Sequence, residues 1–375
     1  MKNNRSGFSV LSVKRKPATW RRNKMKFKEA VTYDDMLLVP QYSDITSRRE
    51  VDISSALSVT SALQLPIMSS PMDTVSEVDM AVAMAKAGGL AVIHRYNSIV
   101  EQGHLVSLAA TAISEITDDP LVAAAIGVSG DYMERATTVV ALGANVLCVD
   151  VAHGHHIMMK KALQELRNAF GDDIYIIAGN VCTLEGVNDV ADWGANAVRC
   201  NIGGGSICST RIVTGHGLPG LQTIFDCART DRDVKIIADG GIKTSGDIVK
   251  ALAAGADFVM CGSLLAGTAE SPGRVVPHPD GYPLKEYRGM ASKDAQMSWR
   301  NKSSTPEGVA SYIPYKGSVS DILVDLEGGI RSGLSYTGAR TIADLQHKAE
   351  WARQTSAGTI ESGTHILTSQ NGRRK

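Results

Sequence analysis

The sequence has no net formal charge, because 39 Lys and Arg balance 39 Asp and Glu over 375 residues. That balance argues against a protein whose whole surface binds a polyanion, so no nucleic-acid partner is expected for the body of the chain. There is no CxxC pair and no cysteine ladder. The six cysteines (Cys148, Cys182, Cys200, Cys208, Cys227 and Cys261) are scattered, which excludes a disulfide framework and predicts free thiols in a reducing compartment. No apolar run approaches the ~18–20 residues of a membrane span. The start also lacks the apolar stretch of a secretory signal, so the expectation is a soluble, cytoplasmic protein with no membrane partner. Disorder of the body is excluded as well, since 43% hydrophobic residues supply core for one large α/β barrel or two ordinary domains.

The neutral total hides an asymmetry. Residues 1–24 carry eight Lys/Arg and no acid, leaving 31 basic and 39 acidic side chains in the rest, a net of −8. This stretch is polar and lacks hydrophobic period, and reads as a disordered extension. An Arg-rich targeting leader and a nucleic-acid arm are the alternatives. The ordered chain is expected to begin at Met25, and residues 25–367 to form one domain ahead of a polar tail, 368–375.

From residue 65, short apolar runs at 65–70, 89–94, 122–127, 145–151, 174–179, 197–200, 234–239 and 258–261 alternate with stretches of helical spacing. The helical stretches are 77–87, 132–142, 157–170, 184–193, 221–229 and 245–254, and Gly88, Gly143, Gly194 and Gly255 stand where helix C-caps favour glycine. Eight βα units in about 200 residues predict a TIM (β/α)8 barrel, with its site at the C-terminal ends of the strands. The runs do end there in polar or Gly-rich residues: Asp150, Asn180, 203–206, 239–241 and 262–263. Residues 271–320 are rich in Gly, Pro and charge, too long for an ordinary βα loop, and predict a lid or flap. The segment to about 355 is helical in character.

The strongest local feature is the run Asn201-Ile-Gly-Gly-Gly-Ser-Ile-Cys208-Ser-Thr210-Arg. Three glycines allow close backbone approach, so amides can cradle an anion while a thiol is presented as a covalent nucleophile. Thr210 is placed to relay a proton. The turns Asp239-Gly240-Gly241 and Gly262-Ser263 end consecutive late strands, where barrels often bind phosphate, and Asp239 can accept from ribose hydroxyls. Asp150-Val-Ala-His153-Gly-His155-His156 gathers one acid and three histidines, read as polar or acid/base groups rather than a metal cluster, because no second ligand group stands at the needed spacing.

These residues resemble the IMP dehydrogenase/GMP reductase family. GGGSICSTR followed by IVTGHGLP is similar to the family's catalytic loop, and SSPMDT, DVAHGH, AGNV, IIADGGIKTSGDIVKALAAGA, GSLLAGTAESPG and EYRGM follow the family order across residues 25 to about 367. The resemblance implies a barrel enzyme that binds a purine nucleoside monophosphate and a nicotinamide cofactor, NAD or NADP. It implies that Cys208 attacks purine C2. Ser206, Gly241, Gly262, Ser263 and Tyr287 are then implied to hold the phosphate, and Asp239 the ribose. Ser70, Met72, Gly289, Met290 and Glu307 would surround the base. Asp150, Ala152, His153, Asn180, Asn201 and Gly203 fall on the cofactor side. A potassium ion is implied on the carbonyls of Gly203, Gly205 and Cys208, completed by Glu361, Ser362 and Gly363 of a neighbouring subunit in a homotetramer; these three belong to the tail Glu361-Ser-Gly-Thr-His365.

Four departures stand out. Only the short stretch 101–120 occupies the place of the family's regulatory nucleotide-binding repeats. The flap, 291–306, lacks the Arg-Tyr pair of IMP dehydrogenases and offers Trp299-Arg300, with Arg300 a partial substitute in activating water. Lys293 stands where GMP reductases usually carry Glu three residues after the Met of the GM motif, and Asn201 replaces a usual Gly. The leading expectation is oxidation of IMP to XMP. GMP reduction to IMP and ammonia is the alternative, and a non-catalytic nucleotide-binding protein a remote third.

Overall fold

Alternation decides the architecture. In each of the eight runs every second side chain faces one way, and in the computed structural model eight parallel strands close into a barrel in chain order. The structure describes residues 27–301 and 305–364, except for the side chain of Arg300. The chain divides into Met1–Ala30, of which only the irregular residues 27–30 are described, and Val31–Lys375. Residues 1–24 and His365 therefore lie outside the described residues.

The barrel strands are β1 (Ile67–Ser69), β2 (Leu90–Ile93), β3 (Ala123–Ile126), β4 (Val146–Asp150), β5 (Tyr175–Val181), β6 (Ala197–Cys200), β7 (Lys235–Asp239) and β8 (Phe258–Cys261). Each overlaps its predicted run. Met68, Val92, Ala125, Cys148, Ile177, Ala197, Ile237, Phe258 and Met260 form the packed interior, and Leu57 and Leu63 of a short hairpin join that cluster. The intervening residues, such as Ile67, Ile93, Leu147 and Val198, face the helices and belong to the outer core. A fully buried Phe258 in the interior is worth about 1.5–3 kcal/mol of transfer free energy.

The helices on the outside are α1 (Val78–Lys86), α2 (Ile99–Ser114), α3 (Tyr132–Ala141), α4 (Ile157–Phe170), α5 (Leu184–Asp192), α6 (Gly220–Cys227) and α7 (Ser245–Ala253). The four glycines expected to close helices take positive φ, from 79° to 117°. α2 was not among the predicted helices. Its buried face includes Gln102 and Gly103 beside Val106, Ala109 and Ile113, which blurs the apolar period. Its start was readable from the Ser98/Glu101 capping box.

The described residues between 271 and 320 include regular strands and a helix. β9 (Val275–Pro277), β10 (Pro283–Arg288) and β11 (Ala310–Pro314) form an antiparallel sheet, with α8 (Lys293–Arg300) between the last two. The sheet is fastened to the barrel. Lys285 Nζ donates to the carbonyls of Thr268 (2.6 Å), Ala269 and Ser271. Arg288 donates to Asp73 from Nε at 2.9 Å and Nη2 at 2.5 Å. Further on, α9 (Val319–Ser335) and α10 (Ile342–Lys348) follow, and Trp351–Arg353 pairs antiparallel with Met36–Leu38.

Candidate active site

The alternation that fills the barrel also builds its upper layer. Two residues beyond the inward-facing Cys148, Ala197 and Ile237 come Asp150, Arg199 and Asp239, which therefore point into the same space above the core. Arg199 is buried. Its Nη1 donates to Asp150 Oδ1 at 2.5 Å, and its Nη2 and Nε donate to Asp239 Oδ2 at 2.8 and 3.2 Å. Burial works against the charged guanidinium, but Asp239 and Asp150 outweigh it and hold Arg199 ionised well above its usual range. Asn180 Nδ2 also donates to Asp239 Oδ2 at 2.6 Å, so that oxygen receives three donors. Gly179 is required here: a Cβ on it would lie 2.7 Å from Arg199 Cβ.

Above this layer runs the Gly-rich loop. Cys208 Sγ donates to Thr210 Oγ1 at 3.2 Å, and Thr210 Oγ1 donates to Glu307 Oε2 at 2.8 Å. The loop is paired edge-on to the segment after α8. Ser209 N donates to Glu307 O at 2.9 Å and Val309 N to Ile207 O at 3.0 Å, so backbone pairing fixes Glu307 beside the loop that carries Cys208. Burial pushes the Cys148 and Cys261 thiols up to about 12, Cys200 well above its usual value, and Cys182 upward.

One cavity of about 300 Å³ joins these groups. Of the residues expected around a nucleotide, Ser70, Met72, Ser206, Asp239, Gly241, Gly262, Ser263, Tyr287, Gly289, Met290 and Glu307 all line it. Asp150, Ala152, Asn180, Asn201 and Gly203 line it too, with Cys208, Thr210 and Gly205. Tyr287 Oη lies 3.4 Å from Ser206 Oγ, and Tyr287, Met72 and Ser70 crowd the face of Gly262, where a Cβ would meet them at 3.2–3.5 Å. Gly-rich turns that bring backbone amides together with the hydroxyls of Ser206, Ser263 and Tyr287 suit a phosphate group.

Other expected residues fall elsewhere. His153 does not line the cavity; burial, then His155, His156 and His216, hold its imidazole below the usual value. His155 pairs with Asp189 at 2.8 Å, and His156 Nδ1 accepts from Met158 N to cap α4. No group of three or more His, Cys, Asp or Glu able to hold a metal occurs among the described residues. Arg300 ends α8 and its side chain lies outside the described residues. Glu361, Ser362 and Gly363 close the helix Ser356–Glu361, with Ser362 Oγ donating to Gln354 Oε1 at 3.1 Å. Asn201 adopts φ 150°, a conformation natural to glycine, and its side chain compensates by donating to Gly240 O at 3.2 Å.

Sequence reasoning passed over several residues of the site. Arg199 was readable as a charged residue at an inward position of a buried strand. Arg95 and Tyr96 line the cavity, and Arg95 packs against the rings of Tyr96 and Trp299, whose centroids are 4.5 Å apart. Arg95 Nη2 donates to Asp150 O at 3.1 Å, while its buried Nε has no hydrogen-bond partner among the described residues. No helix among the described residues is long and apolar enough to cross a membrane.

Comparison with known proteins shows the family of the chain. A family profile described as the IMP dehydrogenase / GMP reductase domain matches residues 30–365. An inosine-5′-monophosphate dehydrogenase of Nitrosopumilus maritimus is 36% identical, over 91% of this chain and 99% of its own length. A GMP reductase of Leishmania major is 34% identical, over 91% and 97%. A crystal structure of Trypanosoma brucei GMP reductase with one cysteine replaced by alanine, in complex with guanosine 5′-monophosphate, superposes with a TM-score of 0.85 at 32% identity, covering 92% of this chain and 99% of that one. The two sequence alignments run over 473 and 482 residues against the 375 of this chain, so relatives of both names carry a long stretch that is missing here.

Proposed function

Because the chain belongs to the IMP dehydrogenase/GMP reductase family, we propose that it is a purine nucleotide oxidoreductase acting at C2 of the base, converting IMP, NAD and water to XMP and NADH. The observation that carries this reading is the hydrogen-bonded chain from Cys208 through Thr210 to Glu307 at the mouth of the cavity. Cys208 sulfur adds to C2 as the thiol proton passes through the Thr210 hydroxyl to Glu307 and on to solvent, and the C2 hydrogen leaves as hydride. Water then attacks the resulting thioimidate, its proton passes by the same route to the Glu307 carboxylate, and the C–S bond breaks as Glu307 returns that proton to the leaving sulfur, releasing XMP and the thiol. Arg300 is assigned a supporting part in placing that water.

The nucleotide is held by Ser206, Gly241, Gly262, Ser263 and Tyr287 at its phosphate and by Asp239 at its ribose. Ser70, Met72, Gly289 and Met290 flank the base. The cofactor side is Asp150, Ala152, Asn180, Asn201 and Gly203. The fit is supported by an orphan: Arg95 Nε is buried in this wall with no hydrogen-bond partner among the described residues. NAD, when bound, accepts the hydride; the chain's part is to orient it and exclude water. A potassium ion fits the oxygen-only donor set of the Gly203, Gly205 and Cys208 carbonyls with Glu361, Ser362 and Gly363 of a second subunit, in a cytoplasmic homotetramer.

GMP reduction is the second reading. It is favoured by the Trypanosoma brucei likeness and by the same Thr210–Glu307 pair, which can equally protonate a departing amine. The missing stretch does not separate the two, since relatives of both names carry it. Two spectrophotometric assays decide: IMP with NAD, following reduced cofactor as it forms, and GMP with NADPH, following its loss. Formation of NADH from IMP is expected. Turnover of GMP alone reverses the assignment, and turnover of neither removes it.

A further inference from the structure

Nothing in the proposed chemistry uses Arg199, although it is the most deeply buried charge beside the site. Its guanidinium is the only group seen to touch both Asp150 and Asp239 among the described residues, and these two carboxylates lie on the cofactor side and on the ribose side. The contacts divide cleanly. Nη1 serves Asp150 and also approaches Cys148 Sγ at 3.5 Å, while Nη2 and Nε serve Asp239. With Asn180 also on Asp239 Oδ2, the remaining oxygen of Asp239 is the one left for a ligand hydroxyl.

We infer that Arg199 is a positioning residue that couples the two ligand sites, so that occupancy at Asp239 alters affinity at Asp150 and the reverse. This rests on the reading of the cavity as a nucleotide site with a cofactor site beside it. The physical reason is the rigidity of the guanidinium. Its five N–H groups lie in one plane at fixed angles, so a carboxylate that shifts to meet a ligand hydroxyl turns the whole fork and re-aims the donor held on the other carboxylate. Burial leaves that fork little freedom to absorb the shift: the Arg199 side chain is 7% exposed, and those of its partners Asp150 and Asp239 are 20% and 12% exposed. Lysine keeps the charge but offers a flexible point donor that need not transmit such a turn. By reciprocity, each ligand changes the other's affinity by the same factor.

The test uses the full-length chain carrying Cys208→Ala, which cannot turn over, so that binding reaches equilibrium. IMP binding is measured by calorimetry with no cofactor and with saturating NAD, and the ratio of the two affinities is the coupling factor. With Arg199 present, a factor of about ten is expected. In Arg199→Lys the factor should fall to within twofold of one, while each ligand still binds alone. A merely structural role would weaken binding without abolishing the ratio. A factor near one in the Arg199 protein, or an undiminished factor in Arg199→Lys, overturns the inference. Where Arg199→Lys does not fold, Arg199→Gln replaces it under the same criterion. Should neither IMP nor GMP bind, the reading of the site itself fails and the inference with it; binding with unchanged coupling sinks the inference alone.

Discussion

Thr210 donates a 2.8 Å hydrogen bond to Glu307, which lies 97 residues further along the chain. The Cys208 thiol's hydrogen bond ends on the same Thr210 oxygen. In the proposed mechanism Glu307 is then a proton sink two hydrogen bonds removed from the sulfur, held there by backbone pairing of Ser209 to its carbonyl. Glutamine in its place keeps the shape and loses the sink. In Glu307→Gln, kcat should fall by roughly 10²–10⁴, the usual worth of a positioned base, with nucleotide KM changed only a few-fold. Steady-state kinetics decide; an unaltered kcat would take Glu307 out of proton transfer.

The cysteines should separate by reactivity. Thiolate is the attacking form, and burial keeps Cys148 and Cys261 protonated up to about pH 12, with Cys200 and Cys182 also pushed upward. At pH 8 these four stay mostly thiol. Cys208 is only half-buried and opens on the cavity. Iodoacetamide at pH 8 should therefore modify Cys208 first, with loss of activity, and IMP should slow it. Peptide mass spectrometry reads the site, and prior labelling at Cys148 or Cys261 would contradict the burial argument.

What was legible in the sequence followed from period and position. Eight buried strands of near-continuous apolar residues and glycines after helices are local signals, and they placed β1 to β8. Cys208, Asp239 and the Gly-rich turns were legible because their chemistry sits on strand ends. Three things were not. α2 hides because Gln102 and Gly103 face inward, Gln102 being satisfied by Ala125 O at 2.8 Å. The sheet of β9 to β11 hides because its strands are short and broken by Pro277, Pro283 and Pro314. Arg199 and the contacts of Glu307 depend on tertiary partners: the resemblance puts Glu307 near the base, but spacing does not announce that it meets Thr210, or that one guanidinium spans Asp150 and Asp239.

Gly204 offers a sharper test of the loop. A Cβ on it would fall 2.0 Å from Asn201 Nδ2, and the atoms it meets all belong to that one side chain. Gly204→Ala should therefore displace Asn201, break its bond to Gly240 O and cost at least tenfold in turnover. Asn201 sits at a φ that glycine takes freely. Asn201→Gly should then restore most of the loss in the double variant, a coupling expected of residues in direct contact. A double variant no better than Gly204→Ala would mean the loop fails for another reason.

The basic segment before Met25 bears on how the ligand is held. The remainder of the chain is acidic by eight charges, yet the cavity is proposed to take a phosphate on backbone amides and hydroxyls around Gly241, Gly262 and Ser206. Local donors of this kind act at hydrogen-bond range and need no basic surface, whereas steering by a distant cluster is screened beyond about 8–10 Å at ordinary ionic strength. The family match begins at residue 30, after that segment. A chain beginning at Met25 should keep kcat and nucleotide KM within twofold of the full-length protein at 0.15 M salt. A KM that rises several-fold on truncation, and whose rise disappears in high salt, would instead assign the eight charges a part in capturing the nucleotide.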